Sequence, residues 1–170
     1  MTAYRVEIIA VGTELLLGNV ANTDAQFLSE MLASVGVDVL YHTAVGDNPA
    51  RLREVVDIAR GRANLLGFTG GLGPTYDDMT KQTVCEAFGL GLEFHPEIVE
   101  EIRHYFDTVF RREMPACNLQ QAYLPRGCTV LHNPVGTAPG CIFETGGVTA
   151  VLLPGVPHEC RHLAEHELLP

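Results

Sequence analysis

The sequence contains no tryptophan, and aromatic residues make up only 7% of its 170 positions, which excludes a core built on large rings. It is also short of positive charge, with 11 Lys and Arg against 21 Asp and Glu, a net of −10. No basic cluster interrupts that balance. An acidic chain of this kind repels a phosphate backbone, so nucleic-acid polymers are not expected as partners. A small phosphorylated ligand stays compatible if backbone amides and a cation, rather than basic side chains, neutralise it. No apolar run approaches the roughly 18 residues of a membrane span, and residues 1–5 lead into a strand-like segment without a signal-peptide core. The five cysteines (Cys85, Cys117, Cys128, Cys141 and Cys160) are odd in number, widely spaced and lack a C-x-x-C pair. They read as reduced, small core residues, so a cytoplasmic protein with no membrane partner is expected.

What is present is a 46% apolar content with 17 glycines, which suits one aliphatic α/β domain with glycine-rich turns. Residues 4–11 read as a buried strand ended by Gly12. Thr23-Asp24-Ala25-Gln26 has the form of a capping box, and Leu28, Met31, Leu32 and Val35 then recur at helical spacing up to Gly36. Residues 37–45 form a second strand, and Asn48-Pro49 caps a helix carrying Leu52, Val55, Val56 and Ala59. A third strand, 64–69, runs into a glycine-rich loop, with the next helix expected from Asp77 or Asp78 until just before Gly89. A helix from Pro96 places Ile98, Ile102, Tyr105, Phe106 and Val109 on one face. Strands are expected at 128–132, 141–144 and 149–153, with Gly146-Gly147 turning between the last two, and Pro157 opens a helix running to the last residue. This order predicts right-handed crossovers over a mostly parallel sheet with one antiparallel strand, in a single domain spanning 1–170. The end on Leu168-Leu169-Pro170 is expected of a domain cut from a longer chain.

The segment richest in chemistry is Thr69-Gly70-Gly71-Leu72-Gly73-Pro74-Thr75-Tyr76-Asp77-Asp78-Met79-Thr80. Three glycines between a strand and a helix allow close backbone approach, so successive N–H groups can cradle an anion. Asp77 and Asp78 either cap the helix or hold a divalent ion over a bound phosphate, and ligands of open α/β sheets gather at this end of the strands. The segment has neither the G-K-[ST] of a P-loop nor the spacing of the Rossmann fingerprint. Gly12-Thr13-Glu14-Leu15-Leu16, with Gly18, Asn22, Thr23 and Asp24, is a second strand-to-helix loop; Glu14 reads there as a solvated acid and Asn22 as a helix-start residue, unless the loop meets a ligand. Asp47 opens on the same sheet edge as Asp77 and Asp78 if the second strand lies beside the first. The stretches 133–140 and 153–159 are proline-rich, rigid turns with backbone N–H groups free to meet a ligand. His158, His162 and His166 share a helical face but read as solvated, and nothing suggests a Ser-His-Asp or Cys-His nucleophile.

Taken together, T-G-G-L-G-P-T-x-D-D-x-T at 69–80, G-T-E-L-L-x-G-x-x-x-N-T at 12–23, N-P-x-G-T-A-P-G at 133–140 and L-P-G-V-P-x-E at 153–159 resemble the CinA N-terminal domain family of the molybdopterin-binding superfamily. The resemblance covers nearly the whole chain. It implies a three-layer α/β/α fold with a mixed, mostly parallel five-stranded sheet. It also implies that Thr69, Gly70, Gly71 and Gly73 bind a ligand phosphate and that Asp47 and Asp78 matter for function. CinA-type domains are linked to metal-dependent hydrolysis of ADP-ribose to AMP and ribose 5-phosphate. On that reading Asp78, Asp77, Asp47 and Glu14 are the catalytic candidates, with Asp77, Asp78 and, third, Asp47 holding a divalent ion such as Mg2+. Gly12, Thr13, Asn22, Pro74, Thr75, Thr80, Gly136, Thr137, Ala138, Pro139, Gly140, Pro154, Gly155 and Pro157 complete the expected ligand surface. The alternative is a module that binds molybdopterin or a nucleotide without cleaving it. Asp77 weighs against molybdopterin, because the molybdopterin enzymes often carry a basic residue there. Longer CinA proteins add a nicotinamide-nucleotide deamidase domain, for which this chain has no room. Relatives are commonly oligomers, so a homo-oligomer is expected.

Overall fold

A computed structural model describes residues 4–168. Strand β1 (Val6–Val11) is buried at every position, as its five apolar residues and central place demand. It lies between β2 (Val39–Val45) and β3 (Leu65–Thr69), both parallel to it. Beyond β3, β8 (Val148–Leu153) is also parallel, β7 (Gly140–Thr145) runs antiparallel to β8, and β6 (Thr129–Leu131) runs antiparallel to β7. The order β2-β1-β3-β8-β7-β6 makes a mixed six-stranded sheet with β7 reversed, one strand more than the five expected. Because β1 alternates its side chains, Val6 and Ile8 join one core while Ile9 and Val11 join the other. Helices α2 (Thr23–Ser34) and α6 (Pro157–Leu163) cover the first face. The other is covered by α3 (Pro49–Arg62) and α4 (Thr80–Phe88). A one-turn helix, α1 (Thr13–Leu16), follows β1. No helix among the described residues is long and apolar enough to cross a membrane.

Several local expectations are corrected by side-chain geometry. Asn22, not Thr23, caps α2, its side chain accepting from Ala25 N at 3.2 Å. Helix α4 starts at Thr80 after Met79, because the Asp78 carboxylate turns back to Thr75 instead of capping forward. Helix α5 (Pro96–Tyr105) buries Ile98, Ile102 and then Phe106, but residues 106–110 widen into a π-helical turn that rotates Val109 out to 55% exposure. A short pair, β4 (Leu92–Phe94) and β5 (Tyr123–Pro125), joins a 3₁₀ segment at 116–122 to pack under α5. Pro125 sits at the end of this small ribbon, where its missing N–H does no harm. Cys85, Cys141 and Cys160 are core residues as expected, whereas Cys117 is exposed. The last helix widens in the same way over 164–168; its expected extension to the final residue lies outside the described residues.

One ion pair ties the sheet to α3. Glu7 is fully buried, and Arg62 grips it with two bonds, Nε to Oε2 at 2.8 Å and Nη2 to Oε1 at 2.7 Å, while Thr43 donates at 2.6 Å. Burial alone pushes the Glu7 carboxyl up, but the Arg62 and Thr43 hydrogen bonds and the Arg62 charge more than offset it, leaving Glu7 below the ordinary 4.5. A depressed carboxylate contributes stability above its unfolded pKa and loses it as pH falls through the folded one. Removing the cation leaves the buried Glu7 charge without its main partner, so Arg62→Ala should lower stability at pH 7 in urea unfolding. The deficit should shrink below about pH 4.5, where Glu7 can take up a proton. A pH-independent loss would show that packing, not the charge, was removed.

Candidate functional site

Four parallel strands, β2, β1, β3 and β8, point their carboxyl ends toward one edge of the sheet, the end at which ligands of such sheets bind. The loops leaving them come together by backbone contact. Gly12 N donates to Val45 O at 2.9 Å, and Gly70 N donates to Leu153 O at 3.1 Å. Gly70 has φ +90°, and a Cβ there would run into the Val11 carbonyl; a Cβ on Gly155 would meet Gly70 Cα at 2.8 Å. Only glycine lets these three segments close. They enclose a cleft of about 490 Å³.

The glycine loop forms one wall. Gly70 N is spent on Leu153, but Gly71, Leu72 and Gly73 N–H donate to no acceptor among the described residues, so they remain available to an anion. The loop is braced by its own side chains. Asp78 Oδ2 accepts from Thr75 N at 2.8 Å and Thr75 Oγ1 at 2.5 Å. Thr80 N donates to Gly71 O at 3.2 Å. Across the cleft, β2 lies beside β1, so Asp47 does open on this edge. Its Oδ2 accepts from Thr13 N at 2.9 Å and its own N donates to Thr13 Oγ1 at 3.1 Å, while the capping of α3 falls to Asn48. Three glycines leave room for three carboxylates: a Cβ on Gly12, Gly73 or Gly136 would strike Glu14, Asp78 or Glu159 respectively.

Sequence reasoning placed most of this cleft. Gly12, Glu14, Asn22, Asp47, Thr69, Gly70, Gly71, Gly73, Pro74, Asp77, Asp78, Thr137, Ala138, Pro154, Gly155 and Pro157 all line it. Thr13 and Thr75 stand behind the lining as partners of Asp47 and Asp78. Thr80 is fully buried beneath Gly71, and Gly136, Pro139 and Gly140 are buried behind Thr137 and Ala138. Gln121 was not among the candidates, while Glu159 and Asp24 stood in candidate segments without a role of their own. Gln121, from the irregular segment after α5, donates to Leu72 O at 3.3 Å and Thr137 Oγ1 at 3.2 Å, joining two walls. Glu159 is buried and accepts from Asn133 Nδ2 at 2.6 Å; burial pushes its carboxyl up, only partly opposed by that bond. Asp24 is 7% exposed, and burial raises it to about 6 despite the Arg161 charge. The N-T-D and V-P-x-E strings were the available signals for both acids.

Among the described residues six carboxylates therefore line the cleft (Glu14, Asp24, Asp47, Asp77, Asp78 and Glu159), and no Lys, Arg or His does. Lys81 lies on the other side of the glycine loop in a smaller cavity of about 220 Å³, donating to the Gln120 carbonyl at 3.1 Å, and burial lowers it to about 8. Among the described residues no group of three or more His, Cys, Asp or Glu side chains is arranged to hold a metal ion by itself.

A family model described as a probable molybdopterin binding domain matches residues 7–170. The CinA-like protein of Crocosphaera subtropica is 49% identical over 165 residues, covering 96% of this chain and 40% of the relative. A competence-damage inducible protein of Bacillus subtilis is 48% identical over 166 residues, covering 98% of this chain and again 40% of the relative. The chain thus spans about 40% of the length of these relatives. Among solved structures, the CinA protein of Thermoplasma acidophilum matches with a TM-score of 0.87 at 32% identity, covering 97% of this chain and 96% of that one. The molybdopterin biosynthesis enzyme MoaB of Thermus thermophilus matches with a TM-score of 0.63 at 23% identity, covering 97% and 89%, a likeness of fold alone. With the family model matched from residue 7 onward and CinA relatives near half identical, the chain belongs to the molybdopterin-binding domain family, among its CinA-like members.

Proposed function

We propose that the cleft hydrolyses a nucleotide diphosphate, ADP-ribose or a close analogue, to a nucleoside monophosphate and a sugar phosphate with the help of a divalent cation. One observation carries this reading: unengaged N–H groups at 71–73 share a cleft with six carboxylates and no basic side chain. The amides suit phosphate oxygens, the carboxylates repel them, and a cation between the two reconciles the site with an anionic ligand. Mg2+ commonly takes one or two carboxylates and completes its shell with waters and substrate phosphates. The lack of a three-ligand cluster among the described residues therefore fits an ion that arrives with its ligand.

The exposed Asp77, with the Asp78 oxygen not used by Thr75, would hold that ion. Bound there, it would supply charge neutralisation and a more acidic water. Hydrolysis adds the water oxygen to one phosphorus and breaks that phosphorus's bond to the bridging oxygen. The amides at 71–73 would stabilise the charge growing on the phosphoryl oxygens, and Glu14, folded over Gly12, is placed to orient water or ribose. A second reading, a module that holds molybdopterin or a nucleotide without turning it over, draws on the family's description and uses the same loops. A cytoplasmic homo-oligomer goes with either reading.

Incubating the domain with ADP-ribose and a panel of divalent cations, with products separated by chromatography, tests the first reading. AMP and ribose 5-phosphate should form only with a cation. Asp78→Ala and Asp77→Asn should each cut the rate at least about 100-fold. Asp77→Asn is the sharper variant, because it should leave the melting temperature within about 2 °C while removing activity. Full activity in either variant would overturn the assignment. No product together with thermal stabilisation by ADP-ribose would favour the second reading.

A further inference from the structure

Asp24 differs from the other acids of the cleft. It sits in the first turn of α2, is 93% removed from solvent and lines the cleft, yet its Oδ1 has no hydrogen-bond partner among the described residues. Asp47 and Asp78 brace loops, Glu159 is held by Asn133, and the still more buried Glu7 has three donors. The groups that face Asp24 from α6 do not satisfy it. Arg161 lies over the Phe27 ring at 4.9 Å, and the neighbouring Cys160 is a buried thiol. A buried, unpaired carboxyl oxygen is a cost that a folded chain keeps only where something else supplies the donor.

The rest of the lining says what kind of donor. The amides at 71–73 take the anionic end of a ligand, and among the described residues no aromatic side chain lines the cleft to stack a flat heterocycle. Leu15, Val20, Ala21 and Val156 also line the cleft and offer aliphatic contacts instead. Carboxylates accept well from hydroxyl groups. We infer that Asp24 is a specificity residue that accepts a hydrogen bond from a sugar hydroxyl of the ligand, so that the site takes a phosphorylated sugar rather than any phosphate. This rests on the reading of the cleft as a diphosphate site and adds the class of group attached to the phosphate.

Calorimetric titration of the wild-type domain, Asp24→Asn and Asp24→Ala with ADP-ribose and with inorganic pyrophosphate, both with Mg2+, separates the two claims. Loss of Asp24 should weaken ADP-ribose by at least about 10-fold for Ala and less for Asn, which keeps an acceptor, while pyrophosphate affinity stays within about 2-fold. The melting temperature of the ligand-free variants should be unchanged or higher, because an unpaired buried carboxyl has been removed; a structural role would lower it. Equal ADP-ribose affinity in all three proteins, or equal weakening of both probes, would overturn the role of Asp24 while leaving the diphosphate site standing. Wild-type protein that binds neither probe would overturn both.

Discussion

The close approach of three backbone segments at Gly70 is the constraint on which the site depends. Its amide reaches the end of β8, its Cα lies against Gly155, and a side chain there would collide with the last carbonyl of β1. Because β1, β3 and β8 are parallel and adjacent, this contact fixes where all their loops begin. The glycine loop then departs with positive φ at Gly70 and Gly71, and it is held open by Asp78 bonding to Thr75 and by Thr80 packed beneath Gly71. What results is a rigid set of backbone donors on a strand edge, a site built on the scaffold rather than on a mobile loop.

Buried acids in this fold fall into two kinds, and the contrast carries the functional argument. Glu7 is enclosed by Arg62 and Thr43 and serves to lock α3 onto the sheet. Asp24, Glu159 and the acids around the glycine loop instead face a cleft that no basic side chain of the described residues lines. The sheet beneath is well packed, with Ile9, Leu52, Leu66, Phe68 and Leu152 wholly buried.

Much of this was readable in the chain. The glycine loop, the G-T-E-L-L segment and the two proline turns are local patterns whose meaning depends on neighbours in sequence, and all four meet in the cleft. The parallel order of β1 to β3 followed from alternating strands and helices. What escaped depended on distance. Gln121 joins the glycine loop to Thr137 from a segment without periodicity. The orphaned oxygen of Asp24 exists only because α2 and α6 pack side by side. The start of α4, expected at Asp77 or Asp78, falls at Thr80 because the Asp78 carboxylate turns back to Thr75. The strands β4 and β5, three residues each, are too short to show alternation.

The central claim is that a cleft lined by six carboxylates accepts an anionic ligand only in company with a cation. Titrating ADP-ribose into the domain with Mg2+ or Mn2+ present, and again in EDTA, tests it most directly. The account predicts saturable heat with the cation and an affinity at least about 100-fold weaker, or no binding, in EDTA. Equal affinity in the two titrations would contradict it and would mean that the backbone amides at 71–73 outweigh the surrounding negative charge unaided.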